Sequence, residues 1–477
     1  MPDIKYVCLS DMHLGAENSL LSNLTLDCSD TDPRVPSPIL SQLVECLKTL
    51  ISQNETPGKP VLILNGDILE LALTTDNEAA MVFERFIELI FPEQGERLFE
   101  KILYIPGNHD HHLWETAREA QYIHFITHND SQKQPGSLLK TPWHTTKLFE
   151  PDYVPALFLE GIVHRFPHLT QEKIHTVYPN YALMSKDSDR CVIFSHGHFI
   201  ESMYMLLSEL RCIMFPQQEK PCSIYAIESQ NFAWIDFFWS TMGRSGEVGV
   251  DVERVYDALQ SEAAMKKIVA NIAEGLAERY DLPGLGEWAE KRIIKGMLDF
   301  LLFKVAKVER AEPEVLLSES ARQGLANYIQ GPVFEQMTQE RDANIPPRMT
   351  FVFGHTHKPF EEDMDLEGYH PGMSVYNSGG WVVDTTDCQP LHGGAVILLD
   401  ENLDSTSLRM YNESKNEQDY AVKVAASTHP NAPPNPFHER IAGLVDPAKN
   451  PWKVFSELVY KGVPMRYENL KKHIAEE

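Results

Sequence analysis

The 477-residue sequence contains no CxxC pair, and its seven cysteines (Cys8, Cys28, Cys46, Cys191, Cys212, Cys222 and Cys388) are scattered and odd in number. That spacing offers no zinc ribbon and no disulfide framework, so reduced, mostly buried thiols are expected. No charge-free apolar stretch approaches the roughly 20 residues needed to span a bilayer. The N-terminus, MPDIKYVCLSD, has no basic region followed by an apolar one. No signal peptide is therefore read, and a cytoplasmic location is the expectation. Gly-x-Ser-x-Gly elbows and Walker A loops are missing too, which leaves serine-hydrolase and P-loop chemistry without support. Positive charge is scarce: 42 Lys plus Arg stand against 69 Asp plus Glu, a net charge of −27. Such a surface repels polyanions and counts against nucleic acid as a partner.

What is present is a chain long enough for more than one lobe, with an ordinary 43% of hydrophobic residues. Its first part alternates strand and helix signals. Short apolar runs at Tyr6–Leu9, Val61–Leu64 and Ile102–Ile105 read as strands. Between them, Ser37-Pro38 opens a helical pattern through Ile51, with Ser37 as N-cap, and another helix is expected around Ala79–Ile90. Ile174–Met184 and Arg190–Phe194 read as two further strands. Long helical patterns then occupy about 200–345, including Val252 to Ile272 and Ile293 to Val305. Strand signals return at Thr350–Phe353, Val375–Tyr376, Trp381–Val383 and Ala395–Leu399. The expected organisation is an α/β core, residues 1–200 and 346–400, interrupted by a mainly helical insertion at 201–345. A C-terminal extension follows at 401–477, and its last stretch, with Pro430, Pro433, Pro434, Pro436, Pro447 and Pro451, reads as an irregular arm ending in a short helix.

Five clusters of metal-ligating residue types follow strand-like runs. They are Asp11-Met12-His13-Leu14-Gly15, Gly66-Asp67-Ile68-Leu69-Glu70, Gly107-Asn108-His109-Asp110, Ser195-His196-Gly197-His198 and Gly354-His355-Thr356-His357. Singly they are ordinary: Gly-Asp is turn chemistry, and His-x-His can be two residues on one strand face. Together they matter, because sequence-distant loops converge at the carboxyl ends of strands in open α/β sheets. Imidazole with carboxylate suits manganese, iron or zinc, whereas calcium takes oxygen, and the absence of thiolates argues against structural zinc. The ligands are too many for one ion. Two divalent metal ions sharing a carboxylate are expected, manganese first, with iron or zinc as alternatives.

In order and type the five clusters resemble the signature of the calcineurin-like metallophosphoesterases: DxH, GDxx(D/E), GNH(D/E), GH and GHxH. The resemblance implies an α/β fold, a β-sandwich flanked by helices, with a dinuclear centre at one edge. It implies that Asp11, His13 and His357 bind one ion, that Asn108, His196 and His355 bind the other, and that Asp67 bridges both. His109 would be the catalytic histidine, protonating the departing oxygen, and Asp110 would orient it. In the fourth cluster His196, at the strand end, is the expected ligand ahead of His198. The reaction implied is hydrolysis of a phosphate ester or pyrophosphate, with two ions about 3.5–4 Å apart sharing a hydroxide that attacks phosphorus in line.

Gly354-His355-Thr356-His357-Lys358-Pro359 and Asn377-Ser378-Gly379-Gly380-Trp381 further resemble the UDP-diacylglucosamine hydrolases of lipid A synthesis. Those enzymes cleave a pyrophosphate under a helical cap. The insertion here holds the aromatic run Asn231-Phe232-Ala233-Trp234-Ile235-Asp236-Phe237-Phe238-Trp239. Its rings either pack the insertion's own core or a dimer interface, or they form an apolar cap over the metals. As a cap, Trp234, Phe238 and Arg244, with His198, would contact a small-molecule or lipid-linked phosphate ester. Two other classes stay open. A metal-dependent nuclease has the charge of −27 against it. A non-catalytic metal-binding scaffold would be expected to have lost ligands, and none is missing.

Overall fold

A computed structural model describes residues 2–26, 30–128, 143–241, 314–341, 344–427 and 434–475. The first three apolar runs form β1 (Tyr6–Leu9), β2 (Val61–Asn65) and β3 (Ile102–Ile105), which lie side by side in parallel. β4 (Ile174–Thr176) pairs with β3. The chain then starts a second sheet with the antiparallel pair β5 (Asn180–Met184) and β6 (Arg190–Ser195). β7 (Arg348–Phe353), β8 (Phe360–Leu366) and β9 (Tyr369–Asn377) complete it. β10 (Gly393–Leu399), β11 (Ser405–Asn412) and β12 (Lys423–Ala425) return to the first sheet. The orders are β12-β11-β10-β1-β2-β3-β4 and β5-β6-β7-β9-β8.

Alternation along the strands sets the layers, because successive side chains point to opposite faces. Cys8, Ile63, Leu103, Val192, Phe194, Val352, Tyr376 and Ile397 form the apolar seam between the two sheets. Their neighbours Val7, Leu9, Leu62, Leu64 and Tyr104 face the other way, onto the helices Pro38–Ile51, Asp76–Ile90 and Trp452–Ala475. On the far side, Cys191, Ile193, Phe351, Phe353 and Val375 pack with residues of the insertion. The result is the expected β-sandwich flanked by helices. Each fully buried Val, Leu, Ile or Phe in these layers contributes roughly 1.5–3 kcal/mol. Helix starts follow local chemistry: Ser37 accepts from the Ile39 amide, and Thr75 with Glu78 makes a capping box.

Three expectations need correcting. Ile174–Met184 is not one strand, since β4 and β5 belong to different sheets and the chain crosses between them at Val177–Pro179. Trp381–Val383 forms no strand. It makes a single bridge, Ser19 to Val382, and the Trp381 amide donates to the Asp11 carbonyl, so this stretch braces the Asp11 loop. The last stretch ends in a long helix, not a short one: the 24-residue helix Trp452–Ala475 packs on Pro38–Ile51, and earlier in the extension β11 and β12 widen the first sheet. Within the insertion the described parts are helical at Leu206–Met214, Ile224–Ile235, Glu319–Tyr328 and Phe334–Glu340. The helices expected between Val252 and Val305 lie outside the described residues. Among the described residues no helix is long and apolar enough to cross a membrane. The six described cysteines are free, and Cys8, Cys46 and Cys191 are buried.

Candidate metal centre

β1, β2 and β3 are mutually parallel, and so are β6 and β7, so the loops leaving their carboxyl ends emerge along one edge of the sandwich. The loops are tied to one another through their backbones. The Asp11 amide donates to the Gly66 carbonyl at 2.9 Å, His13 to Asp67 at 2.9 Å, and Gly354 to His196 at 3.0 Å. Asp11, His13, Asp67, His355 and His357 all have positive φ, between 44° and 67°. Left-handed backbone costs a residue with a side chain roughly 1–2 kcal/mol. Strain placed repeatedly at one edge marks a place where side-chain direction outranks backbone comfort. Two glycines show the same crowding: a Cβ on Gly66 would strike the His196 ring, and one on Gly354 would strike the Asp11 carboxylate.

The ligand types predicted from sequence come together. Asp11, His13 and His357 offer atoms within 4.8 Å of one another, as do Asp67, His196 and His355, and His109 meets His13 and Asp67 at the same spacing. His196 Nε2 lies 3.0 Å from Asn108 Oδ1 and 3.2 Å from Asp67 Oδ2. His357 Nε2 lies 3.4 Å from Asp11 Oδ1, and His13 Nε2 lies 3.7 Å from Asp67 Oδ2. Two ligand atoms each ~2.1 Å from one ion stand about 3.0–3.4 Å apart at square or tetrahedral angles, so the three shorter spacings suit shared ions and the fourth is slightly wider. Asp11 Oδ2, His13 Nε2 and Asp67 Oδ2 are buried with no hydrogen-bond partner. Leaving such atoms unsatisfied is costly, and cations at the centre would satisfy all three. Burial works to raise the Asp67 pKa, yet His196, His109 and His13 around it hold it well below the usual range. The residues present therefore fit divalent metal ions.

A carboxylate stands behind each of several imidazoles. Glu70 takes His13 Nδ1 on one oxygen (2.8 Å) and His109 Nδ1 on the other (2.9 Å). Asp384 meets His357 Nδ1 at 2.5 Å, and Glu201 lies 2.9 Å from His355 Nε2. Such partners fix the tautomer and set the direction of the opposite nitrogen. This arrangement revises the role expected of Asp110. Its carboxylate accepts from the backbone amides of Gly107 (2.6 Å) and Ile68 (2.8 Å), so it staples two loops together, while Glu70 holds the His109 ring. Burial first, then the Asp67 charge, push Asp110 up to about 6. Burial opposes ionisation of Glu70 as well, but His109 and His13 bring it down to about 2.

His196, not His198, comes to Asp67; His198 Nε2 turns to the Tyr178 hydroxyl at 3.2 Å. Trp234 stacks on Phe238 at 4.7 Å and donates to the Met203 carbonyl, and both rings pack against the core on the insertion side. The ring that meets His109 is Trp239, edge-on at 6.3 Å, and Tyr204 meets His355 at 5.1 Å. Arg244 lies outside the described residues. Sequence reasoning passed over Asp384, Glu201, Trp239 and Tyr204. Asp384 and Glu201 carried no local signal, whereas Trp239 stood in the aromatic run already singled out. A cavity of about 480 Å³ opens beside Glu201, walled by Phe199, Met203, Ile227, Ala321 and Tyr328.

Residues 4–222 match the family model of the calcineurin-like phosphoesterases. No curated protein matches the chain.

Proposed function

With residues 4–222 forming a calcineurin-like phosphoesterase domain, we propose that this chain is a dinuclear metal-dependent hydrolase of a small-molecule or lipid-linked phosphate ester or pyrophosphate. The observation that carries the reading is the convergence of five loops on Asp67, which faces His13 on one side and His196 on the other. Asp11, His13 and His357 would hold one divalent ion, manganese by preference, and Asn108, His196 and His355 the second, with Asp67 between the two sets. Such ions would supply Lewis-acid stabilisation of phosphoryl oxygens and lower the pKa of water at the site.

The chain's own residues do the rest. Glu70 holds His109 through Nδ1, which assigns proton delivery to the leaving oxygen to Nε2. Trp239 meets that ring edge-on and supplies an apolar neighbour to it. The cavity beside Glu201 supports a leaving group with an apolar part, because Phe199, Met203, Ile227 and Tyr328 stand in its wall beside polar groups such as Glu209 and Lys220. The net charge of −27 favours such substrates over DNA.

The test is a panel of phosphomonoesters, phosphodiesters, pyrophosphates and DNA, run with Mn²⁺ and after chelation, beside a metal count per chain. Hydrolysis of an ester or pyrophosphate that chelation abolishes and Mn²⁺ restores, with two ions bound, is the expected result. Turnover of DNA alone would replace the substrate assignment, and metal binding without turnover would leave a scaffold.

A further inference from the structure

The insertion touches the His109 loop through the helical turn Asp236–Thr241, which continues the helix Ile224–Ile235. Ser240 is fully buried there. Its hydroxyl oxygen accepts from the His112 amide at 2.9 Å, and its hydroxyl donates to the His109 carbonyl at 3.2 Å. His112 belongs to the first turn of the helix His111–His128, where backbone amides have no partner within the helix. Ser240 thus caps this helix from outside, and it joins that cap to the histidine just before the helix.

The turn is anchored by a second set of contacts, buried at Glu228 and half-buried at Asp236. Asp236 Oδ1 lies 3.0 Å from His112 Nδ1, and Glu228 Oε1 lies 3.0 Å from His111 Nε2. The Tyr178 hydroxyl donates to the other Glu228 oxygen at 3.0 Å. His111, Glu115 and Glu228 have the residue types of a metal site. Their carboxylates are already engaged, however, since Glu115 is paired with Arg118 through both oxygens and Glu228 is shared between His111 and Tyr178. The cluster is a clamp between the insertion and the core.

We propose that Ser240 is a positioning residue for His109: supplied by the insertion, it fixes the backbone from which the His109 ring projects and so sets the aim of the proton donor. This rests on the reading of His109 given above. A misplacement near 1 Å can cost ~10²-fold in rate, so a backbone released at one hydrogen-bonded point is expected to cost about tenfold.

The experiment is a double-mutant cycle of Ser240→Ala and His109→Ala on the full chain, with bound metal counted in every variant. Ser240→Ala is expected to lower kcat about tenfold on an ester with a poor leaving group, leaving KM and metal content as in the parent. Nitrophenyl esters, whose leaving group needs little protonation, should be nearly unaffected. In the His109→Ala background the same change should cost nothing more. Parental activity in Ser240→Ala, an equal loss on both ester types, or losses that multiply in the double variant would each overturn the proposal. If His109→Ala alone costs nothing, the proton-donor reading falls at that arm of the cycle, and the positioning role falls with it.

Discussion

His109 and His111 stand two residues apart, yet they belong to buried clusters that use imidazole and carboxylate to opposite ends. At the metal centre, Asp11 Oδ2, His13 Nε2 and Asp67 Oδ2 are left with no hydrogen-bond partner. In the clamp, both oxygens of Glu228 and both of Glu115 are engaged by His111, Tyr178 and Arg118. The first cluster stands on loops, five of whose residues have left-handed backbone. The second stands on the regular helices His111–His128 and Ile224–Ile235. Charge separates them as well. Burial alone would drive proton loss from His111, but Glu228, then Asp236 and Glu115, raise it to about 10, so the clamp carries its own cation. Proximity of ligand types therefore does not distinguish a metal site from an ion pair. His111 Nδ1 in the clamp likewise has no hydrogen-bond partner, so what distinguishes the two is the carboxylate oxygens left over in the first cluster and the backbone strain accepted there.

Asp67→Asn should break the comparison most severely. Losing the carboxylate proposed to bridge two ions should lower turnover by about 10³-fold or more, ~4 kcal/mol in barrier. Metal analysis should find less than the parental content. Two tightly held ions with normal activity would dismiss the bridging role. His109→Ala comes next. It should retain its metal and lose roughly 10²–10⁴-fold in kcat on poor leaving groups, with a smaller loss on nitrophenyl esters. An equal loss on both, with chemistry rate-limiting, would argue against proton donation.

Glu228→Gln tests the clamp from the other side. Removing one partner of a buried pair costs about 3–5 kcal/mol, so urea unfolding should shift strongly while metal content stays parental. The pair also sets a pH window. The folded pKa of His111, raised to about 10, exceeds its ordinary value of 6.5. Its stabilisation is therefore complete below about pH 6.5 and is lost as pH rises through about 10. Unfolding curves across that range should slope downward for the parent and flatten in Glu228→Gln. The smallest effect is expected from the carboxylates behind the ligands. Asp384→Asn and Glu70→Gln should each weaken metal binding by ~10–100-fold. Only Glu70→Gln should also blunt the dependence of rate on leaving group, because Glu70 alone of the two reaches His109. Identical leaving-group profiles in the two variants would separate Glu70 from the chemistry.

The five ligand clusters, their order and their places at strand ends were legible in the chain alone. Ligand identity and apolar strand runs are local properties: Tyr6–Leu9 must form a strand or leave its side chains in water, and Asp11 follows within two residues. Capping at Ser37 was legible for the same reason. The partnerships behind the ligands were not. Asp384 with His357, Glu201 with His355 and Glu70 with His109 join different loops, and neither partner changes the local pattern of its own segment. β11 was missed because Ser405, Ser407 and Thr406 dilute its apolar signal, although pairing with β10 buries them all. In the aromatic run, composition marked the segment, and only helical phase could choose the ring. Trp234 and Phe238, four residues apart, share a face and stack on each other against the core. Trp239 and Ser240, one and two positions further round, are therefore turned toward His109.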